Sequence, residues 1–167
     1  LESEEKILIF GDYDCDGVTA TAILLKYLKS RGADVSYRIP DRETEGYGVS
    51  VSAIERAAED GVTLIITVDN GINATKETER ANELGVDVVI TDHHLPLGEL
   101  PDAVAVVDPH LDEDRDWLFC DLCGAGVAFK DPKLDHGATI AQIINLSNVA
   151  RKEGLLALEE IASNMED

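Results

Sequence analysis

Short β-branched runs alternate along this chain with helix-length segments that stop at a glycine. "KILIFG" precedes "VTATAILLKYLKSRG", which ends at Gly32, and "DVSYRIP" closes at Pro40. "SVSAIERAAEDG" ends at Gly61 and "VTLIITVDNG" follows it. "NATKETERANELG" ends at Gly85, before "VDVVITDHH" and "DAVAVVDPH". Glycine adopts the left-handed conformation that ends a helix at little steric cost, so each of the three marks a stop. Ser50 or Ser52 is placed to cap the second helix. Repeated βα units of this length predict an α/β fold, a doubly wound, mostly parallel sheet over residues 5–110 with helices on both faces. The near-continuous Val/Ile runs fit strands buried on both sides.

The polar residues fall in a pattern on that scheme. Asp12, Asp14 and Asp16 follow the first strand, and Asp69 and Asn70 follow "LIIT". Asp92, His93 and His94 follow "VDVVIT", and Asp108 and His110 follow "AVAVV". In open parallel sheets the carboxyl ends of the strands form the ligand crevice, so distant strands deliver these groups to one place. Like charges so close repel unless a cation or a donor sits among them. Singly, each cluster has an ordinary reading: Asp12 can cap a helix starting near Val18, and Asn70-Gly71 is a turn signal. Their joint placement on consecutive strand ends points to a site.

Carboxylates with one or two imidazoles suit Mn²⁺ or Mg²⁺ better than structural zinc, which favours thiolate and histidine. Two ions about 3.5–4 Å apart can activate a water and clamp a phosphoryl group. Asp14 and Asp16 can serve neighbouring ions, and Asp69, arriving from another strand, is the natural bridge. His93 supplies a neutral imidazole. His94 is placed to meet a negative substrate or stabilise developing charge.

Charge limits the partners. The chain has 14 Lys and Arg against 34 Asp and Glu, a net charge of −20. The surface as a whole repels nucleic acid, although metal ions and a few cations can make one cleft attractive to phosphate. No apolar run reaches membrane-spanning length, "LESEEK" is unlike a signal peptide, and three cysteines make no disulfide framework. A cytoplasmic protein with no membrane partner is expected. "CDLC" lacks a second pair for zinc and reads as reduced thiols, and Trp117 and Phe119 read as core among acidic neighbours.

"GDYDCDG", "VDNGI" and "TDHH" resemble the first three motifs of the DHH phosphoesterase superfamily. "YRIPDRETEGYGVS" and "CGAGVAFK" look like its RecJ-type exonucleases, and the resemblance covers about residues 5–130. It implies Asp14, Asp16, Asp69 and His93 as metal ligands, with Asp12 beside them. It also implies Asp69 and His94 as catalytic groups, and Arg42 and Asn70 as substrate contacts; a solvated loop arginine is the other reading of Arg42. Phe10 stands where some relatives carry a metal-binding histidine. The implied activity is Mn²⁺- or Mg²⁺-dependent phosphodiester hydrolysis, 5′→3′ on single-stranded DNA. Hydrolysis of oligonucleotides or dinucleotides is an alternative within the superfamily. A non-catalytic module of the same fold is the alternative outside it.

Residues 131–167 read differently. "ATIAQIINLSNVARKEGLLALEEIA" resembles a cytoplasmic segment of the flagellar stator protein MotA. Ile140, Ile143, Ile144, Leu155, Leu158, Ala162 and Met165 fall at helical spacing. The expected organisation is a phosphoesterase domain over 1–130 and a helical tail over 131–167, packed on the sheet or mediating self-association. Gln142 stands where a fourth motif would need an aspartate, so impaired nuclease activity is expected.

Overall fold

The computed structural model describes residues 5–41, 43–111 and 122–128. Arg42, Trp117, Phe119, Cys120 and the segment 131–167 lie outside the described residues. The elements in chain order are β1 (Lys6–Phe10), α1 (Cys15–Ser30), β2 (Asp34–Arg38), α2 (Val51–Glu59) and β3 (Leu64–Val68). Then come α3 (Thr75–Glu83), β4 (Asp87–Thr91), β5 (Ala105–Val107), a 3-10 turn (Pro109–Leu111) and the short α4 (Gly124–Ala128). The strands form one sheet in the order β2-β1-β3-β4-β5, with every neighbouring pair parallel. This is the doubly wound sheet that the alternation predicts.

Strand alternation divides the core between the two faces. Leu8, Phe10, Ile65, Val88 and Ile90 pack with Ala53, Ile54 and Ala57 of α2 and Ala81 of α3. Ile9 and Val68 point the other way, against Ala20, Ile23, Leu24 and Leu28 of α1 and Ala125 and Ala128 of α4. Phe10, Ile9, Ile65 and Ile90 are at most 1% exposed. Burying a side chain of this kind contributes roughly 1.5–3 kcal/mol, so a one-residue slip in register would be strongly opposed.

Gly32, Gly61 and Gly85 end their helices at φ 79°, 77° and 73°. Ser50, not Ser52, caps α2 by accepting from Ala53 N. The first helix corrects the expectation for Asp12. It begins at Cys15, and its cap is Asp14, whose Oδ1 accepts from Asp16 N at 2.8 Å and Gly17 N at 3.0 Å. Among the described residues no helix is long and apolar enough to cross a membrane.

The sheet order places the crevice. From β1 the chain winds first to β2 on one side, then crosses to β3 on the other, so connections diverge between β1 and β3. Such a switch point leaves room at the carboxyl ends of the strands.

Candidate metal centre

Asp69 is the centre of the arrangement. It follows β3 at φ 62°, a left-handed conformation uncommon outside glycine, Asn and Asp, and is 1% exposed. Its Oδ1 lies 3.0 Å from His93 Nε2, but without hydrogen-bond alignment, and so has no donor despite being buried. Burial is the main force raising its carboxyl, with Asp16 and Asp14 adding repulsion; His93 opposes them, and the result is about 7. His93 is raised above its ordinary value chiefly by Asp69, with burial opposing.

Two groups of candidate ligand atoms share this carboxylate. One comprises Asp12, Asp14 and Asp69; the other comprises Asp69, His93 and His94. Within each group the donor atoms lie within 4.8 Å of one another. Asp12 is 3% exposed, its Oδ1 has no partner, and burial raises its pKa. Buried carboxylate oxygens without donors are costly in a metal-free protein. Their mutual approach, with imidazole nitrogen beside them, suits a hard divalent cation with oxygen and some nitrogen ligands.

Asp16 borders the same site. Its Oδ2 accepts from Gly124 N at 2.6 Å and its Oδ1 from Ala125 N at 2.8 Å, at the start of α4. Oδ2 also lies 3.5 Å from His93 Nε2. These amides occupy both oxygens from a segment more than a hundred residues away. Gly124 must be glycine there, because a Cβ would come within 2.6 Å of Asp69 Cβ and Oδ1. Gly17 is as tightly placed, since a Cβ there would come within 2.6 Å of Asp12 Cβ and N.

Asp92, 1% exposed, orients the histidines. Its Oδ2 accepts from Ile72 N at 2.9 Å; its Oδ1 accepts from His93 N at 2.7 Å and His94 N at 3.2 Å. His94 Nδ1 lies 2.7 Å from the same Oδ1. A carboxylate facing three backbone donors favours the tautomer with the proton on Nδ1, which leaves Nε2 of His94 as the acceptor. The His94 ring is half-exposed.

Asn70 is fully buried, with Nδ2 donating to Phe10 O at 3.2 Å and Val68 O at 2.9 Å. It ties β1 to β3, and its side chain lies beneath the crevice surface. Asp108, 7% exposed, accepts from His110 N at 2.7 Å, while Oδ2 has no partner and burial raises its pKa. It joins neither group.

Tyr47 is a site residue that the sequence does not single out. Its hydroxyl lies 3.4 Å from Asp69 O and 3.4 Å from His94 Nδ1. Partial burial and then the carboxylates Asp92, Asp12, Asp69 and Asp14 raise its pKa, which keeps it a phenol. Asp92, Gly124 and Tyr47 all act through tertiary contacts. Their sequence signals are slight: the acid opening "DHH", and the glycines around each of the other two.

Residues 6–150 match the model described as "DHH family, N-terminal domain". The chain is 44% identical over 173 residues to the single-stranded-DNA-specific exonuclease RecJ of Bacillus subtilis (strain 168), covering 96% of this chain and 22% of that protein. It is 37% identical over 164 residues to RecJ of Escherichia coli (strain K12), covering 94% of this chain and 28% of that protein. Among solved structures, an exonuclease RecJ bound to manganese superposes with a TM-score of 0.74 at 37% identity, covering 95% of this chain and 43% of that one. RecJ from Thermus thermophilus in complex with Mn²⁺ gives 0.65 at 38% identity, covering 77% and 18%. The chain therefore spans about a quarter of the length of these curated relatives. The match over most of its length, carried by the strand-end motifs described above, makes this chain a member of the DHH family.

Proposed function

We propose that this chain is the metal-binding half of a phosphodiesterase site that hydrolyses single-stranded DNA from its 5′ end. The observation that carries the reading is the shared, buried, donor-less Asp69 carboxylate between two groups of candidate ligands. Asp12, Asp14 and Asp69 would hold one Mn²⁺ or Mg²⁺, and Asp69 and His93 a second with His94 beside it; Asp16 would join by exchanging an α4 amide. The relatives named RecJ, two of them solved with Mn²⁺, support both the metal and the substrate.

When bound, two such ions supply charge stabilisation for displacement at phosphorus and make water a nucleophile near neutral pH. The protein supplies the rest. Asp92 fixes the tautomer of His94, whose Nε2 accepts a proton or, once protonated, donates to a phosphate oxygen. Asn70 and Gly124 hold Asp69 in place. Arg42 is proposed as a phosphate contact on the sequence resemblance alone. A cytoplasmic setting is proposed with this activity, on the similarity to the RecJ relatives.

The division at residue 130 is also a proposal, resting on the MotA-like segment; the family match itself runs on to residue 150. A folded fragment released by limited proteolysis near 130 would support it. Self-association through the tail predicts a dimer by analytical ultracentrifugation that reverts to monomer when 131–167 is removed.

The function is tested with 5′-phosphorylated single-stranded DNA at millimolar Mn²⁺. With Gln142 where a fourth motif would need an aspartate, hydrolysis slower than that of RecJ is expected, lost in Asp69→Ala. Absence of both Mn²⁺ binding and hydrolysis would overturn the reading and favour a non-catalytic module.

A further inference from the structure

Beside the carboxylates runs a row of rings, two of which, Tyr13 and Tyr47, metal binding does not require. Tyr13 sits between Asp12 and Asp14, and its ring centroid is 6.5 Å from that of Tyr47 at an interplanar angle of 86°. Tyr47 is 6.0 Å from His94 at 83°, and His94 is 4.5 Å from His93. Tyr47 is 56% exposed, too open for a core residue. Yet its position is fixed at both ends. Gly46 and Gly48 flank it at φ 79° and 73°, and its hydroxyl reaches Asp69 O and His94 Nδ1. A Cβ at Gly46 would meet nothing within 4 Å, so that glycine serves the backbone bend rather than close packing. The bend aims an exposed ring at the lip of the crevice.

Resting on the phosphodiesterase reading, we propose that the perpendicular rings of Tyr13 and Tyr47 form a platform for the nucleobase of the nucleotide whose phosphate lies at Asp69, one ring meeting its face and the other its edge. Three considerations carry this. The rings adjoin both ligand groups, so a nucleotide with its phosphate at Asp69 has its base within their reach. Stacking on an aromatic face is open to every base, which suits a nuclease that must not choose sequence. It also gives affinity without cations. With 34 acidic residues against 14 basic ones, this chain has little general attraction for a polyanion, so base contacts count for more. A base paired in a duplex is stacked on its neighbours and cannot lie on Tyr47, so the platform favours single strands.

The test compares two 5′-phosphorylated oligonucleotides with the whole chain and Mn²⁺. One carries a normal terminal nucleotide and the other an abasic tetrahydrofuran in its place. KM and kcat are measured, and binding is followed by anisotropy with Ca²⁺ replacing Mn²⁺. The unmodified chain is expected to favour the base-bearing end about 5- to 100-fold, the range of a single base–aromatic stack. Tyr47→Ala and Tyr13→Ala should each erode that preference through KM, whichever base is present. Tyr47→Phe should keep it, because the ring face remains. Equal losses on both substrates would assign Tyr47 to holding His94 and overturn the platform. So would hydrolysis by the unmodified chain with no preference for a base, which leaves the phosphodiesterase reading standing. If the unmodified chain neither binds nor cleaves either oligonucleotide, that reading fails and the platform with it.

Discussion

Gly124 and Asp69 are in direct contact: a methyl group at 124 would overlap the Asp69 carboxylate at 2.6 Å. The same residue's N–H donates to Asp16 Oδ2. One glycine thus sets both the carboxylate shared by the two ligand groups and the one held beside them. Gly124→Ala must displace Asp69 or draw α4 off Asp16. Titration calorimetry with Mn²⁺ should show at least roughly a tenfold loss of affinity, about 1.4 kcal/mol, and overpacking at this buried contact should cost about 1–3 kcal/mol of stability. Unchanged Mn²⁺ affinity would mean that α4 yields without disturbing the site.

The sheet and the strand-end position of the acids were legible because both follow from local patterns. β-branched runs, helical spacing and terminal glycines repeat within windows of a dozen residues, and strand-end acids in a parallel sheet must converge. The individual roles were less legible. Asp14 and Asp16 look equivalent in "DYDCD", yet Asp14 caps α1 while Asp16 is held by amides of α4. Asn70 looks like a site residue in "VDNG", yet its amide joins two strands. Only the folded chain brings α4 to Asp16 or the "EGYG" bend to Asp69, and no local period encodes those meetings.

Asp69→Asn separates function from stability. Asparagine tolerates the left-handed backbone at φ 62° and nearly preserves the shape. It removes a buried charge whose Oδ1 has no donor. The metal-free protein should become more stable by roughly 1–2 kcal/mol, the scale of an uncompensated buried polar group. Mn²⁺ should no longer raise its melting temperature. Urea unfolding with and without Mn²⁺ measures both, and a destabilised metal-free variant would contradict the burial argument.

Stability without metal should fall as pH rises from about 4 through 7. The carboxyl of Asp69 moves from an ordinary 3.8 to about 7, mainly through burial. A raised folded pKa gives stability that is complete below the unfolded value and lost as pH passes the folded one. His93, raised chiefly by Asp69, and Asp12, raised by burial, act in the same direction. Asp41 and Glu45 are lowered by hydrogen bonds from backbone amides and act oppositely, but they lie on the surface where water screens them. Mn²⁺ competes with protons for Asp69, so its stabilising effect should grow over the same interval. Melting curves at pH 5, 6, 7 and 8, with EDTA or with Mn²⁺, should therefore diverge with increasing pH. Parallel curves would remove Asp69 from metal binding.

Asp92→Ala should damage the fold more than any substitution among the proposed ligands. The carboxylate is 1% exposed and receives Ile72 N, His93 N and His94 N besides the His94 ring. Removing it leaves three backbone donors short of a partner in a buried place. Each such loss costs about 1–3 kcal/mol, although water entering the space left by the carboxylate would offset part. A net loss of about 3 kcal/mol is expected in urea unfolding. Asp92→Asn tests the charge of this residue. With its amide oxygen at the Oδ1 position it still accepts from His93 N, His94 N and the His94 ring, so much of the stability should return, while Ile72 N loses its acceptor. A neutral amide holds the His94 Nδ1 proton less strongly than a carboxylate does, so hydrolysis should fall at least roughly tenfold in Asp92→Asn, the scale of a lost general acid–base contribution. Hydrolysis at the rate of the unmodified chain would show that Asp92 holds the backbone alone.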